Sequence, residues 1–148
     1  MQPGLYCVSN DFTVNGGVLT GQDVTIYLSV EHADFSTSGA AEVHLDAPEP
    51  ECEAELPANG GCYPALGGML LYVQHGDVSL LGNSASYYEG TVYAPEGEIG
   101  VGGGSSEMSN IGAQLIGNTV KLHGDTLLDI LYDNSVVYHN GPRVSLTE

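Results

Sequence analysis

A repeat of 21 residues constrains the fold of this chain more than any other feature. The segments GDVSLLGNS, GEIGVGGGS and NTVKLHGDT share one pattern: an apolar residue, any residue, an apolar residue, any residue, glycine, a polar residue or glycine, then serine or threonine. Their first apolar residues are Val78, Ile99 and Val120, which are separated by two equal steps of 21 residues. Equal spacing of one strand-like pattern indicates a repeat architecture.

The same frame extends into the first half of the chain. FTVNGG from Phe12 and FSTSGA from Phe35 fit it with a step of 23 residues. Between Phe35 and Val78 lie 43 residues, which allow either two periods or one period with an insertion. Apolar residues alternate throughout these segments, and each short run ends at Gly, Asn, Asp or Ser. The pattern predicts many short strands with tight turns and almost no helix.

A unit of about 21 residues without a helix cannot bury its own apolar face, so copies must stack. The LxxLxLxxN pattern of leucine-rich repeats is absent. The sequence therefore predicts an all-β fold, a short right-handed parallel β-helix of about five coils, which forms one domain over residues 1–148. Residues 134–148 are predicted to add a last strand or a cap. The glycines predicted to occupy the repeated turns are Gly16, Gly39, Gly82, Gly103 and Gly124.

Residues 46–67 break the repeat with four prolines, alternating glutamates and two cysteines. We expect an acidic loop that leaves one coil, with replacement of one wall of that coil as an alternative. Cys52 and Cys62 flank its Pro-, Gly- and Asn-containing centre and could close it as a disulfide in an extracellular protein. Cys7 lies in an apolar run, and we expect a small buried hydrophobic residue there.

The charge of the chain restricts its partners. Lys121 and Arg143 are the only Lys and Arg residues, against 19 Asp and Glu, and the net charge is −17. No basic patch for nucleic acid or for an anionic membrane surface can be assembled. No apolar run of 18 residues occurs, so no membrane insertion of this segment is expected. The first residues resemble no signal peptide, and we expect the chain to be part of a longer secreted protein.

One candidate cation site stands out. Glu49, Glu51, Glu53 and Glu55 occupy alternate positions, and an extended backbone would place all four carboxylates on one face. Such a set favours Ca²⁺, although the spacing of known calcium loops is absent. A solvated acidic edge is the alternative reading, and no other cofactor is expected.

The glycine-rich stretch GEIGVGGGSS invites a phosphate-binding interpretation. No helix is predicted after it, however, and its apolar residues continue the repeat, so a strand and a turn are favoured. Gly100 stands where the sister segments have Ser79 and Lys121. We expect a bare patch of wall at Gly100, where a neighbour could pack closely.

The segment GTVYAPEGEIGVGGGSSEMSNIGAQLIGNTVKLHGDT resembles the C-terminal region of TadG-like proteins, which are associated with the Tad (Flp) pilus-assembly system of bacteria. The resemblance spans roughly Gly4 to Asp133. It implies a secreted or envelope-exposed structural module of pilus biogenesis or attachment, with other surface or pilus proteins or copies of itself as partners. The resemblance implies no catalytic residues.

We therefore expect a non-catalytic structural or adhesive module rather than an enzyme. One alternative is a module that binds glycans or Ca²⁺ through the acidic loop and exposed tyrosines. Tyr87 and Tyr88 are neighbours on one predicted strand, so at least one of them must face outward. Another alternative is a degenerate carbohydrate-active enzyme, which the scarcity of Lys and Arg disfavours.

Overall fold

The computed structural model describes residues 1–49, 65–83, 85–103, 109–123, 128–130 and 137–138. These residues form strands and their connections, without a helix. The strands are β1 Gly4–Val8, β2 Phe12–Val14, β3 Gly17–Gly21, β4 Val24–Leu28, β5 Phe35–Thr37, β6 Ala41–Asp46, β7 Met69–Val73, β8 Val78–Gly82, β9 Tyr87–Gly103, β10 Ser109–His123 and β11 Leu128–Ile130.

The strands stack into three walls in which every pairing is parallel. Wall A contains β1, β4, β7 and the segments 91–94 of β9 and 114–117 of β10. Wall B contains β2, β5, β8 and the segments 98–103 and 119–123. Wall C contains β3, β6, β11 and the segments 87–89 and 110–112. The long strands β9 and β10 each run through all three walls, so the chain winds as a β-solenoid.

The predicted repeat is confirmed by the register. Phe12 pairs with Phe35, and Val78 pairs with Ile99, which in turn pairs with Val120. The fold class is therefore as predicted, but the number of turns is smaller. Wall B contains five strand segments, and the four steps between them, of which the direct step from β5 to β8 is one, make about four turns. The 43-residue gap is one turn with an insertion rather than two turns.

The insertion lies at the corner between walls C and A. Residues 47–68 connect β6 to β7, whereas residues 22–23 alone make the same connection one coil earlier, between β3 and β4. All three walls of the coil are present, so the inserted loop replaces none of them. Residues 50–64 lie outside the described residues.

Successive side chains of each strand point alternately inward and outward. The inward apolar residues of paired strands therefore stack in columns in the interior. On wall A, Ile26, Leu71 and Val92 are paired and at most 2% exposed. Tyr88 is equally buried on wall C, between Leu45 of β6 and the next coil. Tyr87, its neighbour, is only half-buried and faces outward. Burial of such columns, rather than local propensity, holds the coils together.

The corner between walls A and B depends on glycine because the backbone of successive coils comes into close contact there. A Cβ on Gly97 would lie 1.9 Å from the carbonyl oxygen of Gly76, and a Cβ on Gly76 would lie 2.1 Å from that of Ala33. Neither distance is compatible with a side chain. These positions explain the glycine that opens two of the repeated segments.

The glycines assigned to the turns lie at several kinds of position. Gly16 and Gly39 are exposed links between walls B and C, while Gly82 and Gly103 are paired last residues of β8 and β9. Gly124 lies outside the described residues. Positive φ angles of described glycines occur elsewhere, at Gly4, Gly17, Gly68 and Gly90.

Candidate functional site

Three tyrosines form a column on the outer surface of wall A. Tyr27, Tyr72 and Tyr93 are paired across successive coils, and their ring centroids lie 5.0 and 5.2 Å apart. All three are half-buried. Burial raises the pKa of Tyr72 above its ordinary value of 10.0, with Tyr27, Tyr93 and Glu96 adding to the effect, so this hydroxyl stays protonated and neutral. We call these residues the tyrosine column.

A cleft of about 450 Å³ opens beside Tyr72 and Tyr93. Its floor contains Thr91 and Gln114 of wall A. Its remaining lining residues are Leu66, Met69, Ile116 and Tyr138. Among the described residues, no charged side chain lines it, although the chain has 19 Asp and Glu. An uncharged, partly aromatic cleft on so acidic a protein is the most distinctive surface feature of the described residues.

Both lips of the cleft are fixed by hydrogen bonds. The backbone N–H of Tyr138 donates to Thr91 Oγ1 at 2.8 Å, and Val137 beside it is fully buried. On the other lip, the N–H of Leu66 donates to Thr25 Oγ1 at 3.0 Å. Thr25 Oγ1 in turn donates to the carbonyl oxygen of Met69 at 2.7 Å. The cleft is therefore built from anchored backbone.

A second polar feature is a column of carboxylates at the corner between walls A and B. Asp11 Oδ1 accepts the N–H of Asp34 at 3.0 Å, and Asp34 Oδ1 accepts that of Asp77 at 2.8 Å. Asp77 Oδ1 then accepts the N–H of Glu98 at 2.7 Å, and Glu98 pairs with Lys121 at 2.6 Å. Each of these aspartates thus binds the backbone of the next coil. Within the described part of the chain, no three His, Cys, Asp or Glu side chains form a group that could hold a metal ion.

A third feature is a cavity of about 530 Å³ at the corner between walls C and A, lined in part by His44, Asp46 and Tyr87. Burial raises the pKa of Asp46, the charges of Glu89 and Asp23 raise it further, and His44 opposes them. Asp46 Oδ1 is buried and has no hydrogen-bond partner in the part of the chain that the structure describes. The Tyr87 hydroxyl donates to Glu89, and burial, this bond and the neighbouring carboxylates raise the pKa of Tyr87. Burial and the neighbouring carboxylates thus both disfavour the ionised form of Asp46.

Two expectations from the sequence are wrong. Cys7 is exposed, because its neighbours Tyr6 and Val8 pair with the buried Ile26 and Leu28 and alternation turns Cys7 outward. Gly100 leaves no bare patch, because it is buried and the ring of His123 from the next coil lies 3.4 Å from where its Cβ would be.

The predicted cation and disulfide sites fall largely outside the described residues. Of the four glutamates, Glu49 is described and exposed, whereas Glu51, Glu53 and Glu55 are not described. Cys52 and Cys62 also lie outside the described residues. The calcium site and the disulfide stay predictions.

The sequence predicts exposed tyrosines but gives no indication of the cleft. The spacing of Tyr72 and Tyr93 equals the repeat period, which could have placed them in one outward column. Leu66 and Tyr138 carry no comparable signal, because they reach the cleft from segments outside wall A.

Comparisons with known protein families, curated proteins and solved structures give no match to this chain. The resemblance to TadG-like proteins therefore depends on the sequence motifs alone and stays a prediction. None of the described residues forms a helix long and apolar enough to cross a membrane.

Proposed function

We propose that this chain is a non-catalytic structural module of a bacterial surface or pilus-associated protein, exposed outside the cell, and that it acts by stacking end to end with copies of itself. The observation that supports the proposal most directly is that the two ends of the solenoid are complementary. Both ends present the same interior columns of wall B without a covering coil among the described residues.

The first coil presents open strand edges. Within the described residues, β1 pairs only with β4, β2 only with β5, and β3 only with β6. The N–H of Phe12 donates to the Asp34 carbonyl, and the Val14 carbonyl accepts from Ser38, both at 2.9 Å toward the second coil. Because strand N–H groups alternate in direction, the N–H of Thr13 points away from that coil. Such an edge is a template for pairing.

The opposite end presents apolar interior positions. Val120 and Leu122 continue the columns of Ile99 and Val101, which are at most 2% exposed, yet they are themselves 45% and 64% exposed. At the first coil, Phe12 continues the same column and is half-buried. Stacking the last coil of one copy on the first coil of another would bury both ends in the register the solenoid already uses.

The charge of the chain sets the conditions for this stacking. Two copies with a net charge of −17 repel each other at low ionic strength, and salt screens that repulsion over about 10 Å at 0.1 M. The proposed stacking should therefore strengthen with salt. A module whose stacking strengthens with salt fits a protein exposed outside the cell. The resemblance to TadG-like proteins supports a location at the bacterial surface.

Sedimentation equilibrium over a range of protein and salt concentrations tests the proposal. We expect reversible self-association that increases with salt and is lost in Thr13→Pro, which removes the outward N–H. Thr13→Val is the matched control, since it also loses the 3.2 Å hydrogen bond from Ser36 Oγ but keeps the N–H. Val120→Lys should abolish association from the other end. A monomer under all conditions, or equal association of Thr13→Pro and Thr13→Val, would contradict the proposal.

A further inference from the structure

We propose that the cleft beside the tyrosine column binds a neutral saccharide. The lining of the cleft combines outward side chains of wall A with Leu66 and Tyr138 at its two lips. This inference does not depend on end-to-end stacking, because the cleft lies on the side of wall A rather than at a coil end.

The uncharged side chains that line the cleft indicate an uncharged ligand. The described lining of the cleft contains no cation that could pair with the carboxylate, sulfate or phosphate of an acidic ligand, and the net charge of −17 repels such ligands. The described lining contains no carboxylate either, so it offers no partner for a cationic peptide. An uncharged ligand remains.

The mixture of ring surface and hydroxyl groups narrows the class further. Tyr72, Tyr93 and Tyr138 supply amphipathic rings, of which Tyr138 is 39% exposed. The hydroxyls of Tyr72 and Tyr93 make no hydrogen bond to any other described residue. A pyranose has the complementary character, with C–H faces for rings and hydroxyls for phenols and amides.

Gln114 and Thr91 add directional polar groups on the floor. Gln114 Oε1 accepts from Thr91 Oγ1 at 3.4 Å, a long bond that leaves its amide N–H₂ without a described partner. A few polar groups among apolar and aromatic side chains, in a volume between about 300 and 1,000 Å³, is the usual composition of a small-molecule site. The anchored lips provide the preorganisation that limits the entropy cost of binding.

Titration calorimetry with defined oligosaccharides tests this inference. The probes are cellohexaose, mannohexaose and chitohexaose, with hexagalacturonate as the acidic counterpart. We expect at least one neutral hexasaccharide to bind with a Kd below about 5 mM, and hexagalacturonate not to bind. The chain has no Trp, so perturbation of tyrosine absorbance reports the same event.

Two variants and a matched control locate the site. Tyr138→Ala and Ile116→Lys should each weaken binding by at least about tenfold. Val120→Lys places the same charge on the same strand at nearly the same exposure, 45% against 42%, but outside the cleft, and should retain binding.

Several outcomes would overturn the inference. Absence of binding by all three neutral probes, equal binding of hexagalacturonate, or undiminished binding by Ile116→Lys would each do so. Binding of a hydrophobic dye that no probe displaces would identify an apolar partner instead and would also refute the saccharide. Because Val120→Lys disrupts the proposed stacking and Ile116→Lys the cleft, failure of one proposal is distinguishable from failure of the other.

Discussion

Replacing Gly97 with alanine tests whether close backbone contact at the corner of walls A and B is required for stability. The added Cβ would lie 1.9 Å from the Gly76 carbonyl oxygen, whereas real Cβ contacts are not shorter than 3.0 Å, so the coils must separate there by about 1.1 Å. The bond from the Glu98 N–H to Asp77 Oδ1, now 2.7 Å, would lengthen to about 3.8 Å and be lost.

The expected cost follows from these two effects. Overpacking costs about 1–3 kcal/mol, and loss of a hydrogen bond to a charged acceptor costs about 1.5–3 kcal/mol, toward the lower value at an exposed corner. We predict that Gly97→Ala lowers the free energy of unfolding by about 3 kcal/mol. Gly39→Ala is the matched control, because nothing lies within 4 Å of its added Cβ and its φ is not positive. It should be neutral or stabilising by up to about 1 kcal/mol.

Urea denaturation followed by far-ultraviolet circular dichroism measures both variants. With a slope near 2 kcal/mol per molar, Gly97→Ala should lower the midpoint by about 1.5 M relative to the wild type. If the midpoints of Gly97→Ala and Gly39→Ala agree within the error of the fit, the close contact between coils at this corner does not exist.

Three further predictions concern ionisable groups. Burial raises the pKa of Tyr88 from 10.0 to about 12. Its unfolded form ionises first as the pH rises, so Tyr88 should account for a loss of about 2–3 kcal/mol between pH 10 and 12, and Tyr88→Phe, which lacks the bond to Thr37, should lose that much less than the wild type over the same range. Asp34→Ala should cost about 1–2 kcal/mol by removing the acceptor of the Asp77 N–H, and Asp34→Asn should recover most of it, as judged by urea midpoints. Because the pKa of Asp46 is raised above 3.8, its charge opposes folding near neutral pH, so Asp46→Asn should be the more stable protein there. That advantage should shrink as the pH falls through the raised pKa toward 3.8, and stability curves at several pH values would reveal a constant difference if the reasoning is wrong.

The sequence predicted the register of the second half because inward residues repeat there without interruption. Val78, Ile99 and Val120 are apolar and equally spaced, and hydrogen bonding between parallel strands preserves such spacing as direct pairing. The 43-residue gap could not be resolved in the same way. An insertion at a corner lengthens the spacing of the repeat without changing any wall. The spacing of 43 residues is about two periods, so from the sequence alone it resembles two turns as much as one turn with an insertion.

The errors at Cys7 and Gly100 also have physical causes. Leu5, Tyr6, Cys7 and Val8 are all apolar, so the run has no polar alternation to show which side chains point inward. At Gly100, the space left by the missing side chain is filled by His123 of the next coil. The side chain that fills this space belongs to the neighbouring coil, so the sequence around Gly100 alone does not reveal it.

The candidate cleft was the least predictable feature, because it is a product of tertiary packing. Thr91 and Gln114 belong to wall A, but Leu66 and Tyr138 reach it from segments outside the repeat. Only the stacking of coils brings the tyrosine column between these two segments.

An engineered disulfide tests the direct pairing of β5 with β8 across the insertion, on which the stacking of the coils depends. Ser36 and Ser79 are partners in this register, on strands about 4.8 Å apart, which suits a disulfide. Ser36→Cys with Ser79→Cys should therefore cross-link on oxidation. Thr13→Cys with Ser79→Cys, two layers or about 9.6 Å apart, should not.

Peptide mapping by mass spectrometry after cleavage at glutamate identifies the bond, since Lys121 and Arg143 are the only tryptic sites. We expect a peptide pair joined through positions 36 and 79, with native-like circular dichroism. If the first pair stays reduced while the protein remains folded, the 43 residues span more than one turn and the proposed stacking of coils is wrong.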